Sequence, residues 1–360
     1  MKPVKVLVVD DSAFMRQTLK AMIEEDPMLT VVATARNGRD ALDKLFRFHP
    51  DVVTLDIILP GDKNGLDVLH DLMEQRPTPT IMVSGASDEN ANYVIEAISS
   101  GAFDFIFKPS GKPSDVERIE RELQEKIKQA AFSKINSEML NPRNEVYHTN
   151  EIRREHAFHG NSAGSSMILI GTSTGGPKAL QTVVPSLNKN LPAPVLIIQH
   201  MPPRFTKSLA ERLDRLSSIE VSEAQDGEVL QKGHCYVAPG GRHMCIQENE
   251  YAQYQVHLTD TDPVNGVRPA VDVTLESLAD LQGCSFVITI LTGMGKDGAR
   301  GITDLCAAGK PIHAIAESEE TCTVFGMPKA AIETGKINEI RPLEHVADAI
   351  CSQFGLQGDE

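Results

Sequence analysis

No apolar stretch in the 360-residue sequence approaches the roughly 18–20 residues a helix needs to cross a bilayer. Direct membrane insertion is therefore not expected. Basic residues are also scarce. Against 50 Asp and Glu stand 35 Lys and Arg, a formal net charge of −15, which argues against a large nucleic-acid or anionic-membrane surface. Cysteine is missing before Cys235, and the six that follow form no C-x-x-C pair and sit beside no histidine at zinc-finger spacing. They read as buried, reduced thiols of a cytoplasmic protein. The run Val4–Val9 is too short for a signal sequence and stops at Asp10-Asp11 without a small-residue cleavage site. Internal repeats and low-complexity tracts are absent too.

What is present suffices for ordinary globular cores, with 41% hydrophobic residues. The length suggests two domains. Up to residue 108, the apolar runs Val4–Val9, Leu29–Ala33, Val52–Leu55, Thr80–Val83 and Phe103–Phe107 alternate with helical patterns. Such alternation predicts a parallel sheet covered on both faces, a flavodoxin-like domain. A further helix carries Val116, Ile119, Leu123, Ile127 and Ala130 on one stripe. Periodicity is lost from about Ser137 to Ser166, where Asn141-Pro142 and Gly160–Gly164 break the pattern. The expected division is 1–130, a linker at 131–165, and a second domain at 166–355. The second is expected to be a doubly wound, Rossmann-like sheet with an antiparallel hairpin, its strands at Met244 and Tyr254 joined by a polar turn at Gln247–Ala252. The fold class is thus α/β, with two doubly wound parallel-sheet domains.

In the second half, Met167–Ile170 leads into Gly171-Thr172-Ser173-Thr174-Gly175-Gly176-Pro177. An apolar strand, a glycine-framed serine and a helix start have the layout of a nucleophile elbow. Two further apolar runs end at His200 and, through Thr292–Lys296, at Asp297. Carboxyl ends of parallel strands share one edge, so serine, histidine and aspartate can converge there as a hydrolytic triad. Each alone has a plainer reading: a phosphate-cradling loop, a strand-end histidine, a turn aspartate. A non-catalytic regulator whose second domain binds a nucleotide or a partner through Gly171–Gly176 is the chief rival. A DNA-binding second domain is disfavoured by the acidic balance.

The first half has its own constellation. Asp10 and Asp11 end the first strand, Asp56 the third and Lys108 the fifth, so all four crowd one edge. Three carboxylates there would repel unless a cation intervenes, and Mg²⁺ suits oxygen ligands. A carboxylate beside Mg²⁺ and a lysine can attack a phosphoryl group. Ser84 ends the fourth strand, where it could bond a phosphoryl oxygen or simply form a turn. The Lys108–Pro109 bond is open to a cis form.

These residues resemble two known families. Val8-Val9-Asp10-Asp11-Ser12, Leu55-Asp56 and Lys108-Pro109 are similar to the receiver domain of two-component response regulators. The second half resembles the catalytic domain of chemotaxis protein-glutamate methylesterases. The matching runs are Ile170–Gly176, Gln199-His200-Met201-Pro202-Pro203, Val237–Gly240, Arg268–Asp272, Leu291–Gly298 and Val324–Pro328. The resemblance implies that Asp56 accepts the phosphoryl group and that Asp11, Asp56 and the Ile58 carbonyl hold Mg²⁺. It makes Ser84 and Phe105 the switch residues. Ile58 departs from the acidic residue common at that position. In the second domain it implies Ser173 as nucleophile, His200 as base and Asp297 as its orienter, with the Thr174 and Met294 N–H groups as oxyanion hole and no cofactor. The implied activity is phosphorylation-activated release of methanol from glutamate γ-methyl esters on cytoplasmic chemoreceptor helices, in sensory adaptation. Some members also deamidate receptor glutamines. The implied partners are methyl-accepting chemoreceptors as substrate and a sensor histidine kinase as phosphodonor, with the chain itself a monomer.

Overall fold

The computed structural model describes residues 2–85, 88–109, 113–133 and 165–358. The chain forms two compact units, Met1–Tyr147 and His148–Glu360. In the first, strands β1 (Val4–Val9), β2 (Leu29–Ala35), β3 (Val52–Asp56), β4 (Thr80–Ser84) and β5 (Asp104–Phe107) alternate with helices α1 (Ala13–Glu24), α2 (Gly38–Phe48), α3 (Gly65–Gln75), α4 (Asp88–Ser99) and α5 (Pro113–Phe132). The strands form one parallel sheet in the order β2-β1-β3-β4-β5. Val6–Val9 and all of β3 are buried without alternation, as a sheet covered on both faces requires. From α5 the stripe Ile119, Leu123, Ile127 and Ala130 packs into one core with Val6, Val8, Val52 and Val83. The order reverses between β1 and β3, which opens a crevice at their carboxyl ends. Asp10 follows β1 and Asp56 closes β3.

The second unit starts with β6 (Ser165–Thr172) and α6 (Gly176–Val183), then β7 (Val195–Gln199), α7 (Phe205–Leu216), β8 (Glu220–Glu223) and β9 (His234–Val237). A hairpin of β10 (His243–Glu248) and β11 (Tyr254–Thr259) precedes α8 (Val271–Ala279) and β12 (Cys284–Ile290). The chain closes with α9 (Ala299–Ala307), β13 (Ile312–Glu317), α10 (Met327–Glu333), β14 (Glu339–Arg341) and α11 (Val346–Ser352). Seven strands pair in the order β14-β13-β12-β6-β7-β9-β8, every pairing parallel. The sheet grows outward from β6 through β7 and then on the other side from β12, so the switch point falls between β6 and β12. Beneath it, Leu169, Ile288 and Ile290 from the sheet pack with Val271 and Leu275 of α8 and Ile302 of α9.

Three expectations shift. The hairpin strands run longer than expected, since Gln247 pairs with Gln255 and Glu248 with Tyr254. The turn is therefore Asn249–Gln253, where Asn249 Oδ1 accepts the Tyr251 and Gln253 N–H groups at 2.9 and 3.0 Å. Among the described residues the cis X–Pro bond is Arg268–Pro269, and Lys108–Pro109 is not cis. Helix α5 continues to Phe132 and β6 begins at Ser165; the expected linker between them otherwise lies outside the described residues.

Candidate functional site

Ser173 follows β6, His200 follows β7 and Asp297 lies on the loop between β12 and α9, so all three stand at one sheet edge beside the switch point. His200 Nε2 lies 2.8 Å from Asp297 Oδ2. Asp297 is buried, and its remaining acceptor capacity is filled: Oδ2 takes the Val271 N–H at 2.6 Å, and Oδ1 takes the Asp272 N–H at 3.0 Å and Asn265 Nδ2 at 3.3 Å. Burial alone would raise its pKa, but the His200 bond and charge, with the two backbone donors, outweigh that and hold it below the usual carboxylate value. That bond engages Nε2, and Nδ1 makes no hydrogen bond among the described residues. Among the described residues Ser173 Oγ makes no hydrogen bond to His200; such bonds are often long before substrate binds.

The turn carrying Ser173 is pinned on several sides. The Ser173 N–H donates to the Thr292 carbonyl at 3.0 Å, and the Ser173 carbonyl accepts Gly176 N–H at 2.8 Å and Gln199 Nε2 at 3.0 Å. Gln199 Nε2 also reaches the His200 carbonyl at 3.2 Å, so one buried amide ties the serine and histidine segments together. Gly175 has φ +78°, and a Cβ there would come within 2.4 Å of the Thr323 Cβ. Only glycine fits. Thr174 is buried, and its N–H makes no hydrogen bond among the described residues. Met294 stands at the same edge, two residues past Thr292, and is exposed.

At the first unit's crevice, ligand atoms of Asp10, Asp11 and Asp56 lie within 4.8 Å of one another. Lys108 Nζ sits 2.9 Å from Asp10 Oδ2 and 2.7 Å from Asp56 Oδ2. The Asp10 contact is an ion pair without hydrogen-bond geometry, so this buried oxygen has no hydrogen-bond partner. Burial pushes the Asp56 carboxyl up to about 6; Lys108 opposes the rise and Asp10 adds to it. For Lys108 burial pulls downward, but Asp56 and Asp10 together raise it. An all-oxygen set of three crowded carboxylates fits a hard divalent cation. Ile58 N–H donates to Asp56 Oδ1 at 3.2 Å. Ser84 is buried with its hydroxyl on the Gly85 carbonyl at 2.9 Å, and Phe105 is buried with Lys126 Nζ 5.2 Å from its ring centroid.

Residues that sequence reasoning left without a role also belong to the Ser173 edge: Gln199, Asn265, Asp272, Thr292 and Glu317. Asp272 Oδ1 accepts both Gly298 and Gly301 N–H at 2.9 Å, fixing the loop on either side of α9's start. Asp272 and Thr292 lie in the matching runs, but their partners are remote in sequence.

The profile of the CheB methylesterase family matches residues 168–350. The profile of the response regulator receiver domain matches residues 6–120. A protein-glutamate methylesterase/protein-glutamine glutaminase of Symbiobacterium thermophilum is 45% identical over 362 residues, 98% of each chain. The protein of the same name in Geobacillus kaustophilus is 45% identical over 362 residues, 99% of this chain and 100% of that one. The crystal structure of the Thermotoga maritima CheB methylesterase catalytic domain is 43% identical and covers 52% of this chain and 97% of its own, with a TM-score of 0.48.

Proposed function

The chain belongs to the CheB methylesterase family and joins that hydrolase domain to a response regulator receiver domain; from this premise we propose that it hydrolyses γ-methyl esters of protein glutamates, with Ser173 as nucleophile. The observation that carries the reading is the His200–Asp297 pair at 2.8 Å, beside the pinned Ser173 turn. Ser173 Oγ attacks the ester carbonyl as His200 Nδ1 takes its proton. Asp297, bonded to Nε2, steadies the imidazolium that forms. His200 then gives the proton to departing methanol, and water activated by the same ring releases the glutamate and the serine. The N–H groups of Thr174 and Met294 receive the oxyanion in both steps. Glutamine takes the same route with ammonia leaving, a reading supported by the glutaminase half of the relatives' names.

The substrates are methylated helices of chemoreceptors and the setting is the cytoplasm. No helix among the described residues is long and apolar enough to cross a membrane. The receiver runs through the end of α5 and the catalytic domain starts with β6, with the expected linker between them. A sensor histidine kinase supplies the phosphoryl group to Asp56. Asp10, Asp11, Asp56 and the Ile58 carbonyl would hold Mg²⁺, which when bound neutralises phosphoryl charge. Lys108 holds a second positive charge at the acceptor carboxylate, and Ser84 and Phe105 respond to the change.

Methanol release from methylated receptors tests the esterase. Ser173→Ala and His200→Ala should each lower kcat by at least about 10³-fold, and the double variant little further, because the two act as a unit. Near-normal turnover in a folded Ser173→Ala protein would end the serine-esterase reading. For the receiver, Mg²⁺-dependent, base-labile labelling by a small phosphodonor should vanish in Asp56→Asn.

A further inference from the structure

Glu317 ends β13 and is fully buried. It lies outside the proposed triad, and no cation is paired with it among the described residues. Burial lifts its carboxyl to about 7 even though the Thr292 N–H, the Thr321 hydroxyl and the Cys322 thiol all favour the charged form. An acid held under such pressure without a counter-ion is costly to keep, so its contacts carry the interest.

They lead directly to the nucleophile. Glu317 Oε2 accepts the Thr292 N–H at 2.7 Å, and Oε1 accepts the Thr321 hydroxyl at 3.0 Å. Thr292 in turn holds the serine turn through both its other polar atoms. Its carbonyl accepts the Ser173 N–H at 3.0 Å and the Thr172 hydroxyl at 2.9 Å. Its hydroxyl donates to the Thr174 carbonyl at 3.0 Å and accepts the Val324 N–H at 2.9 Å. The next residue is also fixed: Gly293 N–H donates to Val324 and its carbonyl accepts Gly326 and Met327 N–H groups. A Cβ on Gly293 would come within 2.8 Å of the Ser173 Cβ, so the two segments touch. Ladder pairing of β12 with β13 ends at Ile290 and Ala316. Past that point the carboxylate, a stronger acceptor than a carbonyl, supplies what the ladder no longer does.

We propose that Glu317 is a positioning residue for ester hydrolysis: it fixes Thr292, and through Thr292 the backbone that presents Ser173 Oγ and the Thr174 and Met294 N–H groups. The inference rests on the reading of Ser173 as nucleophile. A displacement of about 1 Å at such a constellation costs on the order of 10²-fold in rate, whereas receptor recognition elsewhere on the edge is untouched. The loss should therefore fall on kcat and spare KM.

The test measures kcat and KM on methylated receptors for full-length Glu317→Ala, Glu317→Gln and Thr292→Val, each scaled to the folded fraction by circular dichroism and thermal unfolding. Glu317→Ala should lower kcat by about 10²-fold with KM within about twofold. Glu317→Gln keeps a carbonyl acceptor for the Thr292 N–H and should recover most of that loss. Thr292→Val retains the Glu317 bond but cuts the links to Thr174 and Val324, and should lower kcat by about tenfold. If Glu317→Ala does not fold, the other two variants decide. Unchanged kcat in Thr292→Val, or Glu317→Gln no better than a folded Glu317→Ala, overturns the proposal. A loss confined to KM, or one that disappears on scaling to folded protein, also overturns it. Ser173→Ala is run alongside. Activity surviving there defeats the nucleophile reading itself, while its loss with normal Glu317 variants defeats only this inference.

Discussion

At Asp297 one carboxylate accepts the His200 ring and also the Val271 and Asp272 N–H groups that open α8. The residue at that helix's own N-cap, Ala270, has no side chain to do so. Asp297→Ala should therefore lose stability by about 1–2 kcal/mol, the usual cost of a missing cap, in addition to activity. Thermal unfolding beside kinetics separates the two losses, and an unchanged melting temperature would show that the cap is dispensable. The two buried acids respond to pH in opposite senses. Asp297 is held low, so its contribution is present above its unfolded value of 3.8 and lost as pH falls through the folded one. Glu317 is held at about 7 against an unfolded 4.5; its contribution is complete below 4.5 and is lost as pH rises through about 7. The stability of Glu317→Gln relative to wild type should thus climb from pH 4.5 to about 7 and level off above. A difference in melting temperature that stays flat over that range would mean that Glu317 does not titrate in the fold.

Among the elements, the strand-to-helix turn after β6 was legible because its residues state their own constraints. A buried apolar strand, a serine framed by glycines and a proline at the first turn of α6 need no partner to be recognised. Strands β7 and β12 announced themselves in the same way, as apolar runs ending in polar residues, and so did the acid-tipped strands of the receiver. Other parts carry no such local mark. β8 and β14 are short, mostly polar edge strands, Glu220–Glu223 and Glu339–Arg341, and edge strands lack the two-sided burial that gives an apolar run. The last residue of β13 carried no signal, because nothing near Glu317 in sequence says that its partner is Thr292. Gln199 was visible as the first residue of a matching run, without its bonds to the Ser173 and His200 carbonyls. Such bonds join elements that the topology brings together, and periodicity is blind to them. The turn also yields a prediction: Gly175→Ala, with φ +78° and the Thr323 Cβ 2.4 Å from the new carbon, should cost about 1–3 kcal/mol and most of the esterase activity. An alanine variant with wild-type melting and turnover would mean that the turn relaxes freely.

For the whole molecule the question is why a phosphoacceptor and an esterase share one chain. Each unit has its own sheet, and a core of its own lies in each, so neither needs the other to fold. A methylated receptor helix is a bulky substrate, and the Ser173 edge must be open to a protein surface before it can act. The resemblance to phosphorylation-activated methylesterases implies a receiver that restrains the esterase until Asp56 is phosphorylated, and obstruction of that access is one account to test. The strength of such a restraint is bounded: the phosphoryl group can raise activity only as far as it favours the open arrangement, tenfold activation needing about 1.4 kcal/mol of preference. A truncated chain starting at Ser165 should then outpace the unphosphorylated full-length protein on methylated receptors and ignore phosphodonor. Full-length Asp56→Asn should stay at the slow basal rate whether or not donor is added. If the truncated chain is no faster than unphosphorylated full-length protein, obstruction is the wrong account. A receiver that recruits the enzyme to its receptors would then fit better, because removing it would leave kcat alone and raise KM.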